Sequence, residues 1–266
     1  MKSDSAKPSA KSLLDSLASR GRHHFTSAEA RRALGVSPNA TAKALARLMA
    51  QGYLASPERE FYVIVPPEYR PLGCLPAEQF IPALMAEKGL SYYAGLLSAA
   101  QFYGAAHHRP QEFQALVARN RRPIICGRVR GGFIARKRVD DIPGRRMNTA
   151  RGEIRVSTPE ATAVDLAGYP EHAGGLDQVV TILSELSEDI DANLLPQAAA
   201  TAPLVWAQLL GYLLQVAGAQ RATAALKGYL RGKVRDYEPL VSGGSRHGNR
   251  DAAWKIIVNA RLESEA

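Results

Sequence analysis

SPNATAKALARLMAQG, Ser37 to Gly52, is a helix with both ends marked in the sequence. Ser37 is an N-cap, its hydroxyl placed to accept from a backbone N–H of the first turn. Pro38 follows at the first helical position, where its missing N–H costs nothing. Gly52 stands just past the end, where a left-handed residue closes the last turn. Ala44, Leu45, Leu48 and Met49 make one apolar stripe at helical spacing. Asn39, Lys43, Arg47 and Gln51 fall off that stripe and are expected to face solvent or a ligand. Their amide, ammonium and guanidinium groups suit phosphate oxygens and base edges.

The flanks extend the pattern. Thr26-Ser27-Ala28-Glu29 is a capping box that opens a short helix ending at Gly35. Gly35-Val36-Ser37-Pro38 is then the turn of a helix-turn-helix. Downstream, Tyr53–Ala55 and Phe61–Val65 are strand-like and flank a polar turn, Ser56 to Glu60. Helix, helix, turn, helix, hairpin is the order of a winged helix, with 38–51 as the recognition helix for a major groove. A winged helix that meets another protein instead of DNA shares this pattern.

The 266 residues suffice for one large or two ordinary domains. The net charge of +9 favours a polyanionic partner. Cys74 and Cys126 fit no CxxC or Cys/His ligand spacing, so they read as reduced thiols of a cytoplasmic protein, with no metal site. The N-terminus lacks the apolar core of a secretory signal, and no run is apolar enough to span a membrane.

The expected organisation is α+β: a tail at 1–9, a winged helix-turn-helix at 10–66, a Pro-rich linker at 67–76, and a larger mixed α/β domain at 77–266. In that domain, 77–88 reads as a helix. Ser91 to Ala105 reads as a buried, Ala-rich helix. Strands are expected at 112–117, 123–126 and 152–156, with Gly131-Gly132 as a hairpin turn or bulge. Thr158-Pro159-Glu160 opens another helix, and Asp165 on it reads as a buried structural carboxylate. The rest is mostly helical through Arg231.

Charge is segregated. Between 119 and 155 stand twelve basic residues against Asp140, Asp141 and Glu153; between 156 and 200 stand eight acids and no Lys or Arg. The basic stretch reads as an added surface for phosphates, carried by Arg119, Arg121, Arg122, Arg128, Arg130, Arg136, Lys137 and Arg138. Mutual neutralisation inside the fold is the competing reading.

Enzyme chemistry finds little support. No Walker loop, GxGxxG or HExxH occurs. His107-His108 is an adjacent pair whose rings would point apart on a helix. Asp140-Asp141 and Glu153-Ile154-Arg155 resemble the acidic cluster of metal-dependent nucleases, but Arg155 stands where a lysine would be and cannot serve as a base. The chain is therefore read as a non-enzyme without a cofactor, with a nuclease as the alternative.

The segments SYYAGLLSAAQFYGAAHHRP, EFQALVARNRRP, RGEIRVSTPEATAVDLAGYPEHAGGLDQVV and the closing DAAWKIIVNARLE, together with the winged helix, resemble AbiEi-type antitoxins of type IV toxin–antitoxin systems. TPEATAVDL is the most specific piece. The resemblance implies a transcriptional autorepressor that binds double-stranded DNA repeats in its own promoter. It also implies an antitoxin that counters a nucleotidyltransferase-like toxin without a stable complex. By position, Ser37, Asn39, Lys43 and Arg47 would contact DNA, and Arg59 in the wing would approach the minor groove or a phosphate.

Overall fold

The capping signals decide where the helices begin. In the computed structural model, residues 9–106 and 110–262 are described. Residues 1–8 of the tail expected at 1–9 and the His107-His108 pair lie outside them. Ser9 caps α1 (Ala10–Ser19) by accepting from the Ser12 N–H at 3.0 Å. Thr26 and Glu29 form the reciprocal capping box of α2 (Ser27–Leu34), which ends at Gly35 with φ 62°. Ser37 accepts from the Ala40 N–H at the start of α3 (Pro38–Ala50), and Gly52 follows it at φ 74°.

These helices pack on a three-stranded antiparallel sheet in the order β1 (His24–Thr26), β3 (Phe61–Ile64), β2 (Leu54–Glu58). Strand β1 was not expected. At three residues it is too short to show a period, and only its pairing of His24 with Val63 and Thr26 with Phe61 defines it. The hairpin turn is tighter than expected, with Ser56 to Glu58 in β2 and only Arg59 and Glu60 at the tip. Leu14, Leu17, Phe25, Ala30, Leu45, Leu48, Leu54 and Ile64 fill the small core between helices and sheet.

The expected linker, 67–76, is packed. Pro67–Leu72 is a 3-10 helix, and Cys74 and Leu75 are fully buried. They join one cluster with Ala55, Phe61 and Val63 of the N-terminal unit and with Phe80, Ile81, Ile124 and Val129 beyond it. This shared apolar cluster seats the first unit on the second.

The second unit centres on a six-stranded mixed sheet. Its members are β4 (Tyr92–Ala94), β5 (Phe113–Val117), β6 (Ile124–Cys126), β7 (Val129–Ala135), β8 (Gly144–Thr149) and β9 (Gly152–Ser157). Their order is β6-β7-β5-β4-β9-β8, with β5/β7 and β4/β9 parallel. Helix α4 (Ala77–Glu87) joins the shared cluster, and α5 (Leu96–Phe102) follows β4. The large core adds α6 (Pro159–Gly168), α7 (Leu176–Leu186), α8 (Leu195–Ala199), α9 (Leu204–Val216) and α10 (Gln220–Leu230). A small sheet, β10 (Glu238–Pro239), β12 (Ile256–Val258) and β11 (Asn249–Asp251), closes the chain against α9, with Trp254 in the core.

Two expectations for this unit are corrected. The run 91–105 is not one helix. Tyr92–Ala94 is a strand, paired with β5 on one side and β9 on the other, and the helix begins only at Leu96. The alanines favour a helix locally, but between two strands tertiary pairing overrides propensity. Gly131-Gly132 is not a turn. Both sit within β7, opposite Phe113 and Gln114. A Cβ on Gly132 would come within 2.7 Å of the Glu112 carboxyl carbon, so close approach explains the glycine. The β6–β7 turn falls instead at Gly127-Arg128, with Gly127 at φ 58°.

Candidate nucleic-acid interface

Helix α3 buries Thr41, Leu45 and Leu48 and turns Asn39, Lys43 and Arg47 outward. Four-residue spacing stacks these three on one face, about one turn apart. Among the described residues none of their side chains has a hydrogen-bond or ion-pair partner. Ser37 is exposed, but its Oγ is engaged as the cap. Pro38 and Ala42 on the neighbouring flank of α3 share a groove of about 410 Å³ with Arg31, Lys88 and the exposed Arg59 at the hairpin tip. Arg31 of α2, Lys88 and Arg59 of the hairpin thus line a groove beside α3, while Asn39, Lys43 and Arg47 lie outside its lining.

The β2–β3 hairpin is held from behind. Glu58 at the end of β2 is ion-paired to Lys88 Nζ at 3.0 Å and to Arg121, whose guanidinium also lies 5.2 Å from the centre of the Phe133 ring. A second clasp is Arg151, from the β8–β9 turn. Its Nη1 donates to His23 Nε2 at 2.8 Å, and its Nη2 reaches Glu68 at 3.4 Å. Burial, then Arg151 and His24, push the His23 imidazole below its ordinary pKa. Burial and Arg22 push His24 the same way, against Glu29 and Glu87.

The expected basic surface divides. Arg119, Arg122, Arg128, Arg130, Lys137 and Arg138 are exposed. Arg121 is half-buried in the Glu58 clasp and is not free for phosphate. Arg136 is not a surface residue at all. It is 4% exposed, and its Nε donates to Asp165 Oδ1 at 2.9 Å. Its Nη2 donates to the Thr201 carbonyl at 3.2 Å, and the guanidinium lies 4.8 Å from the centre of the Trp206 ring. The Tyr93 hydroxyl donates to the other Asp165 oxygen at 2.6 Å. Burial holds the Asp165 carboxyl above its ordinary pKa, against the opposing pull of Arg136 and the Tyr93 hydroxyl. Asp165 is the buried structural carboxylate that its apolar neighbours suggest. A signal for its partner was available: a buried charge needs a counter-charge, and Arg136 follows the apolar run Phe133-Ile134-Ala135.

The stretch TPEATAVDL is the polar hub of the second unit. Thr158 caps α6 by accepting from the Ala161 N–H. Glu160, 1% exposed, accepts from the Asp191 N–H at 2.9 Å. The Thr162 and Ser157 hydroxyls lie 2.7 Å apart, and Asp165 closes the Tyr93–Arg136 network. Thr158 and Thr162 are satisfied locally, whereas Glu160 and Asp165 find their partners 29 to 72 positions away, at distances only the fold sets.

Two of the three acidic residues of the nuclease-like pattern are engaged in ion pairs. Asp141 pairs with Arg138 and Glu153 with Arg146. Among the described residues no group of three His, Cys, Asp or Glu side chains is placed to hold a metal ion. Among them, too, no helix is long and apolar enough to cross a membrane.

Comparison with known proteins places the second unit. Residues 93–216 match the family described as AbiEi antitoxin C-terminal domain. No curated protein matches the sequence. The crystal structure of the RV2827C protein from Mycobacterium tuberculosis is similar in fold, with a TM-score of 0.67 and 18% identity over 93% of this chain and 90% of that one. The fold likeness therefore extends across both units, while the family match spans β4 to the end of α9 and contains the whole Tyr93–Asp165–Arg136 network. Over residues 93–216, this chain matches the AbiEi antitoxin C-terminal domain, the family that its sequence resembles.

Proposed function

We propose that this protein is a DNA-binding transcriptional autorepressor and the antitoxin of a type IV toxin–antitoxin system. In this reading residues 10–66 are a winged helix-turn-helix. Helix α3 enters a major groove of double-stranded DNA at repeats in the protein's own promoter. Asn39 reads a base edge, Lys43 and Arg47 contact phosphates or guanine, and Ser37 holds the helix start against the backbone. Arg59 approaches the adjacent minor groove or a phosphate. The exposed arginines at 119, 122, 128 and 130 add phosphate attraction. The AbiEi domain acts against a nucleotidyltransferase-like toxin without a stable complex.

The observation that carries the DNA-binding half is the unpartnered row Asn39, Lys43, Arg47 on a helix whose opposite face is core. A mobility-shift titration tests it. The probe is the DNA upstream of the protein's own gene, against a scrambled probe, at two salt concentrations. Preferential, steeply salt-dependent binding that disappears in the Asn39→Ala/Lys43→Ala/Arg47→Ala variant supports the reading. Equal weak binding to both probes, or normal binding by the triple variant, removes it. The antitoxin half is tested by co-expression with a nucleotidyltransferase-like toxin of a type IV system, where the expected result is restored growth and unrelieved toxicity removes this half of the reading.

A further inference from the structure

The chain has two cysteines, 52 positions apart, and the fold puts them side by side. The segment leaving the 3-10 helix runs against the β6–β7 turn. The Arg128 N–H donates to the Leu72 carbonyl at 2.7 Å, and a Cβ built on Gly73 would lie 3.2 Å from Gly127 Cα. Both glycines have positive φ, 71° and 58°. Cys74 and Cys126 are the residues next to this crossing on the two segments, and both lie in the same buried cluster. Ala55 of β2 packs in that cluster with both cysteines. Three segments therefore meet at one pair of sulfurs: the wing, the connecting segment and the edge strand of the large sheet.

We propose that Cys74 and Cys126 are a thiol–disulfide pair that a peroxide oxidises, cross-linking the connecting segment to β6 and locking the N-terminal unit onto the sheet edge. Cys126 is the entry point. It is 9% exposed, against 0% for Cys74, and it lies in an edge strand. The neighbouring thiol, with burial, pushes Cys74 up, and Cys74 draws Cys126 down, so Cys126 is the one that ionises first. Its thiolate attacks one peroxide oxygen; the O–O bond breaks, giving a sulfenic acid at Cys126 and hydroxide, which leaves as water with the thiol's proton. The Cys74 sulfur then attacks the sulfenic sulfur. The S–S bond forms, the S–O bond breaks, and the hydroxide leaves as a second water with the Cys74 proton. Two thiols lose two electrons, and the peroxide gains them. Reversible disulfides of this kind serve as sensors where the surroundings are otherwise reducing.

The test uses the full chain, reduced and then treated with hydrogen peroxide. Expected is a fall from two titratable thiols to none after denaturation, at monomeric mass, with a Cys74–Cys126 cross-linked peptide in a non-reducing digest. The melting temperature should rise by on the order of 5 °C, and dithiothreitol should reverse it. In Cys74→Ser, the sulfenic acid at Cys126 should accumulate and be trapped by dimedone. Two thiols surviving in the native protein, under peroxide that oxidises the urea-unfolded chain, would overturn the proposal. So would disulfide-linked dimers or sulfinic acid as the main product. These readouts do not depend on DNA or toxin.

Discussion

Arg136 and Asp165 form a buried ion pair, Nε to Oδ1 2.9 Å, with 3% and 1% of the two side chains exposed. The pair ties β7 to α6 across the large core, and Tyr93 of β4 completes it. Removing one partner strands a charge in an apolar interior. Arg136→Ala should lose roughly 3–5 kcal/mol of stability. The double variant Arg136→Met/Asp165→Leu should lose less than Arg136→Ala alone. Urea denaturation of the three proteins checks both statements, and a double variant worse than either single change would refute the account.

Glycines on two neighbouring helices should respond oppositely. The Trp254 ring packs directly on Gly211 of α9, where an added methyl would collide with it. Gly211→Ala should cost about 1–3 kcal/mol and perturb tryptophan fluorescence. Gly228 of α10 has ordinary φ and nothing within 4 Å of an added Cβ. Gly228→Ala should stabilise by up to about 1 kcal/mol, because alanine loses less backbone entropy in a helix. Thermal melts of both variants decide the matter.

The N-terminal unit should weaken in mild acid. His23 and His24 both have pKa values lowered in the folded state. Folded chains therefore bind fewer protons than unfolded ones between those lowered values and the ordinary 6.5. Stability from these sites is full above that range and is lost as pH falls through it. Melting temperature should drop between pH 7.5 and pH 5, and the drop should shrink in His24→Phe, which keeps the stack on Phe61 without a titrating ring. An unchanged slope in that variant would exclude His24 as the cause.

For the proposed DNA complex, single contacts should separate by salt dependence. Lys43→Ala should reduce the slope of log affinity against log salt by about 1. Lys137→Ala, on a surface far along the chain, serves as the control for whether the second unit shares the footprint. A slope unchanged in Lys43→Ala would place that ammonium outside the interface.

Helix starts were legible because their determinants lie within three residues. Ser37-Pro38, Thr26 with Glu29 and Thr158-Pro159 each satisfy orphan N–H groups locally, whatever surrounds them. The solvent-facing row on α3 followed from the same local period. The most specific piece of the resemblance to AbiEi antitoxins was TPEATAVDL, a run whose side chains find partners up to 72 positions away.

Other features had no local determinant. Tyr92–Ala94 is a strand because β5 and β9 supply hydrogen-bond partners, not because of its own residues. Strand β1 exists only against β3. Arg136 and Arg138 are alike in a sequence of clustered charge, yet one is sealed over Asp165 and the other is exposed beside Asp141. Local composition decided which segments could be helices and where their polar faces lay. Which strands pair, which arginine is buried and which cysteines touch depended on contacts between residues distant in the chain, and those energies exist only once the chain is folded.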